Sequence, residues 1–579
     1  MNIINNIIFL VEKKLKLKLV YLFFLTLIGA FLETLGVGII LPLLMLITQG
    51  KLALQEILNK APDFINNNIN LTKFTDNDLI IYFIAFTIII FFLKTLFFIF
   101  LIWRQNQFAH QVDSSISKRM FNFYLNKSYL FHTQKNSSKL FRNIIEEVKG
   151  FRHYIISSSL TLSIEILVLM SISSLIIYLQ PVPAISAACL IFICIIILSK
   201  IIKRRLIKIS KERQYHDALK IQHLNQGLNG IKEIKISRKE KEFLSIFDKH
   251  NLMSVKMHAE NQFWNLIPKY ILEFAAVFTF MAIAIFVAKK GYDLKFFIPT
   301  IGMIGVATFR LLPSANKIVQ SINNIRFGIP SADILVSELK EDKEENIYTK
   351  PLKILPNNYN KIIFNKVSFC YPNSEKKIIK DATFEISKGD KIGILGPSGS
   401  GKSTLVDLIT GLIKPTTGII KLDNLEVTLM QKNWYERLGY VSQFIFLTDD
   451  TIKKNIAFGI EEKKINENSI NIAINTAQLK EFITSCPKGI DTSIGEFGAR
   501  ISGGQRQRIG IARAVYAQPR ILVLDEATSA IDSKTEDRII NNINTLTNKT
   551  IIIISHRLST IKDCNKIFEF KDGILNQKK

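Results

Sequence analysis

Gly396-Pro397-Ser398-Gly399-Ser400-Gly401-Lys402-Ser403 is the stretch of this chain best fitted to do chemistry. It matches G-x-x-x-x-G-K-[ST] and stands between the apolar run 392–395 and the run 404–412, a strand–loop–helix order. That chemistry is phosphate binding. Glycines let the backbone approach a polyphosphate, and successive N–H groups at a helix N-terminus receive its charge. Lys402 is placed to reach the β- and γ-phosphates and the Ser403 hydroxyl to ligate Mg²⁺, with Thr404 counted in the same set. A nucleoside triphosphate is the ligand this spacing predicts.

A second constellation is Ile521-Leu522-Val523-Leu524-Asp525-Glu526, four apolar residues running into two carboxylates. A buried strand of an open α/β sheet that ends in acids puts them where such sheets hold their ligands. Asp525 is expected to hold Mg²⁺, directly or through water, and Glu526 to polarise an attacking water as general base. A third is Ile501-Ser502-Gly503-Gly504-Gln505, which precedes the helical stretch 506–517.

Ser-Gly-Gly-Gln between a phosphate loop and an acid-ended strand resembles the signature of ATP-binding cassette proteins. That family usually has Leu where this chain has Ile501, a conservative change for a residue that packs while Ser502 and the glycine N–H groups face phosphate. The resemblance covers roughly residues 355–579 and implies further roles. Tyr371 resembles the aromatic that stacks on adenine. Gln443 resembles the glutamine that joins the metal and water site to the transmembrane interface, and it is counted with Ser403 and Asp525 around Mg²⁺. Ser529-Ala530-Ile531-Asp532 resembles the loop that couples two sites. His556 resembles the switch histidine at the γ-phosphate, where a neutral imidazole can hydrogen-bond phosphate and hold the attack geometry. Glu526, His556 and Gln443 are then the catalytic set, with ATP and Mg²⁺ as cofactors. In this family Ser502, Gly503, Gly504 and Gln505 serve the ATP held by a second cassette. One cassette and one set of spans therefore imply a half-transporter that works as a homodimer with two shared ATP sites.

These groups need elements to position them. From about 355 onward, short β-rich runs (361–369, 378–386, 391–395, 521–524, 550–554) alternate with helical stretches, the pattern of an α/β domain. Upstream the chain is different. Hydrophobic residues make up 48% of the sequence although 21% is charged, and mean hydropathy is +0.21. That combination predicts a membrane part joined to a soluble part. Roughly six candidate spans approach the ~20 residues needed to cross hydrocarbon, at 20–47, 79–103, 155–179, 184–202, 270–288 and 296–312. The last is diluted by Pro299, Gly302, Gly305 and Arg310. The first is too long for a cleaved leader, and a retained span is expected.

Loop charge orients the spans. The formal charge of +26 gathers beside apolar segments: Lys13, Lys14, Lys16 and Lys18, then residues 106–153, then 203–263. Positive-inside topology explains this placement more simply than nucleic acid, and no nucleic-acid partner is expected. The N-terminus and the ATPase domain are then expected in the cytoplasm, and the family resemblance implies a bacterial inner membrane. The two cytoplasmic segments have helical periodicity without Gly/Pro clusters and read as long helical extensions of the spans. The outer loop 51–78, with Leu52, Leu54, Ile57 and Leu58, suits either an interfacial helix or a solvated loop. Five scattered cysteines form no metal spacing or disulfide framework. Charged residues 336–348 look like a linker. The expected organisation is a transmembrane domain at 1–330, a linker at 331–354 and an ATP-binding domain at 355–579.

The six-span half followed by a cassette resembles the exporter class. Within it, Arg310-Leu311-Leu312-Pro313-Ser314-Ala315-Asn316-Lys317-Ile318, Glu33-Thr34 and the run 268–273 resemble the bacterial flippases of lipid-linked oligosaccharides that serve protein glycosylation. The implied cargo is a polyprenyl-diphosphate saccharide; an exporter of lipid A-like lipid, hydrophobic drug or peptide is the alternative. Charges inside spans are costly and are functional by default. Lys94, Lys269 and Arg310, if they line one cavity, suit a diphosphate, which Arg310 can grip through its fork. The competing expectation is that they pair with Glu33, Glu165 and Glu273 or snorkel to an interface.

Overall fold

The computed structural model describes residues 3–49, 75–179, 181–290, 294–340, 359–372, 374–426, 432–546 and 548–578. The outer-loop positions 51–74 and the charged positions 341–348 lie outside the described residues. The chain divides into two compact units. One holds Met1–Lys127 with Lys135–Glu345, the other Ser128–Gln134 with Asn346–Lys579.

The first unit is helical. Its main helices are α1 (Lys13–Gln49), α2 (Asp76–Leu125), and, after α3 (Tyr129–Gln134) of the second unit, α4 (Ser158–Leu179), α5 (Pro181–Asn229), α6 (Ile231–Ser237), α7 (Glu240–Lys290) and α8 (Leu294–Lys340). Thr75 starts α2 with a reciprocal cap: its hydroxyl accepts from the Asp78 N–H, and the Asp78 carboxylate accepts from the Thr75 N–H at 3.1 Å. At 50 residues α2 is about 75 Å long, against roughly 30 Å of hydrocarbon, so it extends far beyond the membrane. Burial follows that division. Ile81, Ile88, Phe92 and Trp103 are exposed along the apolar half, whereas Phe108, Val112, Ile116, Met120 and Phe123 are buried beyond it. The first half presents apolar side chains outward to lipid; the second buries a stripe as a soluble helix does.

Among the described residues three stretches are long and apolar enough to cross a membrane: Lys13–Ile40, Asp76–Leu125 and Ser137–Leu175. The expected spans 184–202, 270–288 and 296–312 fall inside α5, α7 and α8, with many of their side chains outside the described residues. Helix α8 continues to Lys340, so positions 331–340 of the expected linker are helical.

The extensions are joined by a buried polar knot. The Arg213 guanidinium lies 3.3 Å from Glu147, whose carboxylate also accepts from Gln214 at 2.8 Å. Arg213 donates to Ser331 as well, and Ser210 donates to the Phe327 carbonyl at 2.6 Å. Two π-helical stretches, Asn143–Glu147 and Phe151–Ser157, rotate Glu147, Phe151 and Ile155 inward. At Gly328 of α8 a Cβ would stand 2.7 Å from Ile155, so these backbones meet closely.

The second unit is α/β. Its antiparallel sheet has the order β2-β1-β4-β5, with β1 (Lys361–Phe369), β2 (Ile379–Ser387), β4 (Thr417–Leu422) and β5 (Leu425–Glu426). Its second sheet has the order β10-β9-β3-β8-β7-β6, with β3 (Lys391–Leu395), β6 (Leu438–Val441), β7 (Ile521–Asp525), β8 (Thr550–Ile554), β9 (Lys566–Lys571) and β10 (Ile574–Gln577). Strands β6, β7, β8, β3 and β9 are parallel neighbours, and β10 closes the edge antiparallel. Every residue of β7 and β8 is buried, which explains why both read as unbroken apolar runs. Helices α9 (Lys402–Thr410), α10 (Gly503–Tyr516) and α11 (Ser533–Asn544) cover this sheet.

Candidate active site

The phosphate loop turns between β3 and α9. At Gly396 a Cβ would stand 2.4 Å from the Phe570 carbonyl oxygen; at Gly401, with φ +107°, it would stand 2.7 Å from Ile378. No side chain fits at either place, so the loop packs closely against Phe570 and Ile378, while its tip at Pro397, Ser398 and Gly399 is exposed as a cradle. Lys402 is buried and curls over the loop, donating to the carbonyls of Gly396 at 2.8 Å and Pro397 at 2.9 Å. The Ser400 hydroxyl oxygen is buried without a hydrogen-bond partner. An uncovered cradle, a lysine held by its rim and an orphaned hydroxyl fit a polyphosphate. Ser398, Gly399 and Ser403 complete the loop, with Gly399 at φ +77°. Tyr371 sits against α9: its hydroxyl is 3.1 Å from that of Thr404, and Phe369 meets its ring edge-on.

The acidic end of β7 comes to the same sheet edge. Asp525 pairs in register with Ile554 of β8. Glu526 then leaves the sheet at φ 47°, a left-handed conformation costly for a non-glycine residue, with its N–H bonded to the Ile554 carbonyl at 3.0 Å. That turn aims the carboxylate at two further predicted residues. Gln443 donates to Glu526 Oε2 at 2.9 Å, and His556 Nδ1 lies 3.8 Å from Glu526 Oε1. Three residues spread over more than a hundred positions thus form one cluster. Burial, and then Glu526, push the Asp525 carboxyl up to about 6, with Lys402 opposing. Among the described residues no three His, Cys, Asp or Glu side chains form a metal cage. Mg²⁺ here would rest mainly on nucleotide phosphates, with Ser403, Asp525 and Gln443 supplying protein oxygens.

Ser502 caps α10: its hydroxyl accepts from the Gln505 N–H at 3.2 Å, and Gln505 Oε1 accepts from the Ser502 N–H at 2.8 Å. The signature is therefore a helix N-terminus with a fixed entry. Gly504 passes so close to Ala530 that a Cβ would stand 2.9 Å from its carbonyl, while Gly503 stands beside the Ala530 methyl. Among the described residues no hydrogen bond joins 502–505 to 396–403. Asp532 caps α11 by accepting from the Thr535 N–H at 2.9 Å, which holds its carboxyl below the usual range.

Three residues absent from the sequence reading belong here. Asp407, on α9, is pushed up to about 6 by burial and by Asp525; a carboxylate inside the apolar run 405–409 was its one signal. Gln507 donates to Ser529 at 2.9 Å and accepts from the Ala530 N–H at 2.8 Å. Glu536 is buried and accepts from Thr528 and Thr560. Neither stands out among helical polar residues.

Two of the three cations expected at a cargo site each face a carboxylate. Lys94 lies 3.2 Å from Glu33, both mostly buried. Lys269 lies 3.9 Å from Glu273, both half-exposed. Glu165 is paired instead with Lys317 at 2.7 Å. The Arg310 side chain lies outside the described residues.

The family model described as "ABC transporter transmembrane region" matches residues 19–293, and that described as "ABC transporter" matches 379–529. "ABC transporter B family member 13" of Arabidopsis thaliana is 41% identical over 38% of this chain and 18% of its own. "ATP-dependent lipid A-core flippase" of Coxiella burnetii is 37% identical over 47% of this chain and 46% of its own. "ATP-dependent lipid A-core flippase 1" of Colwellia psychrerythraea is 29% identical over 80% of this chain and 78% of its own. The chain thus spans less than half the length of several curated relatives it matches. A solved "bacterial Atm1-family ABC exporter with ATP bound" shares the fold with TM-score 0.78, at 22% identity over 97% of this chain and 95% of that one. Both halves of the chain match, one as membrane region and one as cassette. With its helical unit, its phosphate-loop sheet and its signature helix, the chain belongs to the ABC transporters and carries a membrane domain and an ATP-binding domain.

Proposed function

We propose that this chain hydrolyses ATP to flip a lipid with a phosphorylated saccharide head from the cytoplasmic to the outer leaflet of a bacterial inner membrane. It does so as a homodimer with its N-terminus and cassettes in the cytoplasm. The cluster of Glu526 with Gln443 and His556 beside the phosphate loop carries the hydrolytic part of this reading. The Glu526 carboxylate takes a proton from a water whose oxygen bonds to the γ-phosphorus while the bond to the β,γ-bridging oxygen breaks and ADP leaves; Gln443 orients that carboxylate, and His556 steadies the phosphate. Lys402, Ser403 and the loop N–H groups bind the phosphates. Mg²⁺, held by Ser403, Asp525 and Gln443, would supply neutralisation of the phosphate charge. Ser502–Gln505, unbonded to their own phosphate loop, are free to serve the nucleotide of a second copy, which supports two shared sites.

A polyprenyl-diphosphate oligosaccharide is the cargo we favour, its tail staying in lipid while the head crosses. Lipid A-core is the second reading, supported by the names of the Coxiella and Colwellia relatives. Lys94, Lys269 and Arg310 remain the proposed contacts. Because Lys94 and Lys269 already face Glu33 and Glu273, an incoming diphosphate must compete with those carboxylates. The test is reconstitution in proteoliposomes with fluorescent lipid-linked oligosaccharide, lipid A-core and a hydrophobic dye. ATP-dependent movement of the first cargo alone is the expected result. Replacing Lys94, Lys269 and Arg310 together by Gln should reduce that movement more than basal hydrolysis. Unchanged flipping by the triple variant removes them from the cargo path, and movement of lipid A-core alone decides for the second reading.

A further inference from the structure

We propose that Glu536 is a positioning residue for this hydrolysis, locking the loop that follows Glu526 to the loop that carries His556. The inference rests on the hydrolase reading above. Glu536 lies in the first turn of α11, one turn beyond the Asp532 cap, and is 5% exposed. A carboxylate is acceptor-only, and burying one is costly unless donors surround it. Here the donors come from both catalytic loops. The Thr528 hydroxyl, two residues after Glu526, donates to Oε1 at 2.7 Å. The Thr560 hydroxyl, on the short helix that follows His556, donates to the same oxygen at 2.9 Å. The Arg557 guanidinium, next to His556, donates to Oε2 at 3.1 Å. Arg557 reaches back as well, to the Ser529 carbonyl at 3.4 Å.

One side chain thus ties together three segments, and the Arg557–Ser529 contact is a second, longer link between two of them. From the opposite side Gln507 of the signature helix holds Ser529 and Ala530. The segment 527–531 is therefore clamped between the signature helix and the histidine loop. Glu526 and His556 stand 3.8 Å apart across this clamp. Their separation is set by how firmly the two loops are joined, because each lies only one or two residues from an anchored side chain. A purely structural ion pair had no need to bridge these two loops.

Glu536→Gln isolates the effect. The amide keeps the size and one acceptor for the threonines, but its NH₂ now faces the Arg557 guanidinium, donor against donor. In full-length protein in nanodiscs, kcat is expected to fall ~10–100-fold, because a displacement near 1 Å at a catalytic group is that costly. KM for ATP and the affinity for a fluorescent ATP analogue should stay within about twofold, since the phosphate loop is untouched. Glu536→Asp, which keeps the charge, should recover part of kcat. The decisive measurement is a double-mutant cycle under single-turnover conditions. If Glu536 acts through the histidine loop, Glu536→Gln adds little to the loss already caused by His556→Ala. Equal losses in both backgrounds, an unchanged kcat, or loss of nucleotide binding along with kcat would each overturn the positioning role. Wild-type protein with no Glu526-dependent hydrolysis would instead overturn the hydrolase reading and this inference with it.

Discussion

At the residue scale, geometry separates binding from chemistry. Glu526 touches Gln443 and faces His556, and among the described residues no hydrogen bond or ion pair joins it to Lys402, so its removal should spare the phosphate contacts. Glu526→Gln is expected to lower turnover by at least ~10²-fold while ATP stays bound, because the water loses its base. Near-wild-type phosphate release by that variant, measured beside retained nucleotide, refutes the assignment. Asp525 adds a pH dependence. Its carboxyl, with that of Asp407, is raised to about 6 in the fold, above the ordinary value of 3.8. A raised folded-state value means the native chain holds extra protons, so this contribution to stability is complete below about 4 and is lost as pH rises through about 6. If Asp525 holds Mg²⁺ as proposed, the metal would take the deprotonated form and act in the opposite sense. The rise in melting temperature that Mg²⁺ gives the ATP-bound chain should therefore be larger at pH 7.5 than at pH 5.5. An equal rise at both values removes Asp525 from the metal site.

At the scale of elements, the catalytic site was far more legible than the membrane half. Phosphate chemistry demands particular residues at fixed offsets, so 396–403, 502–505 and 525–526 stand out whatever surrounds them. A helix in lipid asks only for apolar character, which states that α2 spans but not what it faces. The Lys94–Glu33 pair joins positions 61 apart, and a uniformly apolar run carries no register signal to place one opposite the other. The π-helical stretches around 143–157 were equally hidden, since they show in backbone hydrogen bonds and not in composition. They matter for packing. Gly328 of α8 meets the second of them so tightly that a Cβ would lie 2.7 Å from Ile155 and 2.8 Å from Tyr154. Gly328→Ala should destabilise the chain by about 1–3 kcal/mol, since backbones or a β-branched side chain must yield. Gly227 in α5 has nothing within 4 Å. Gly227→Ala should be neutral or raise stability by up to about 1 kcal/mol. Thermal unfolding in detergent compares the pair; equal shifts would show that the close contact at α8 does not bear on stability.

At the scale of the whole molecule, the question is whether one chain completes a site. The phosphate loop and the signature of one chain share no hydrogen bond among the described residues, and each ends in groups suited to the same phosphate: N–H donors at a helix start. Two copies related by a twofold axis would set the signature of each against the phosphate loop of the other, giving two equivalent composite sites. This arrangement makes an asymmetric prediction. A homodimer of Lys402→Ala chains has a broken phosphate loop in both sites, and a homodimer of Ser502→Arg chains has a broken signature in both, so each should be inactive. A mixed dimer is different. One composite site collects both defects, while the other pairs the intact loop of one chain with the intact signature of its partner. Co-expression with two affinity tags and purification through both isolates that mixed species. Its ATP hydrolysis should return to the level of one intact site per dimer. If each chain used its own signature, every site in the mixture would keep one defect, and purification would recover no activity.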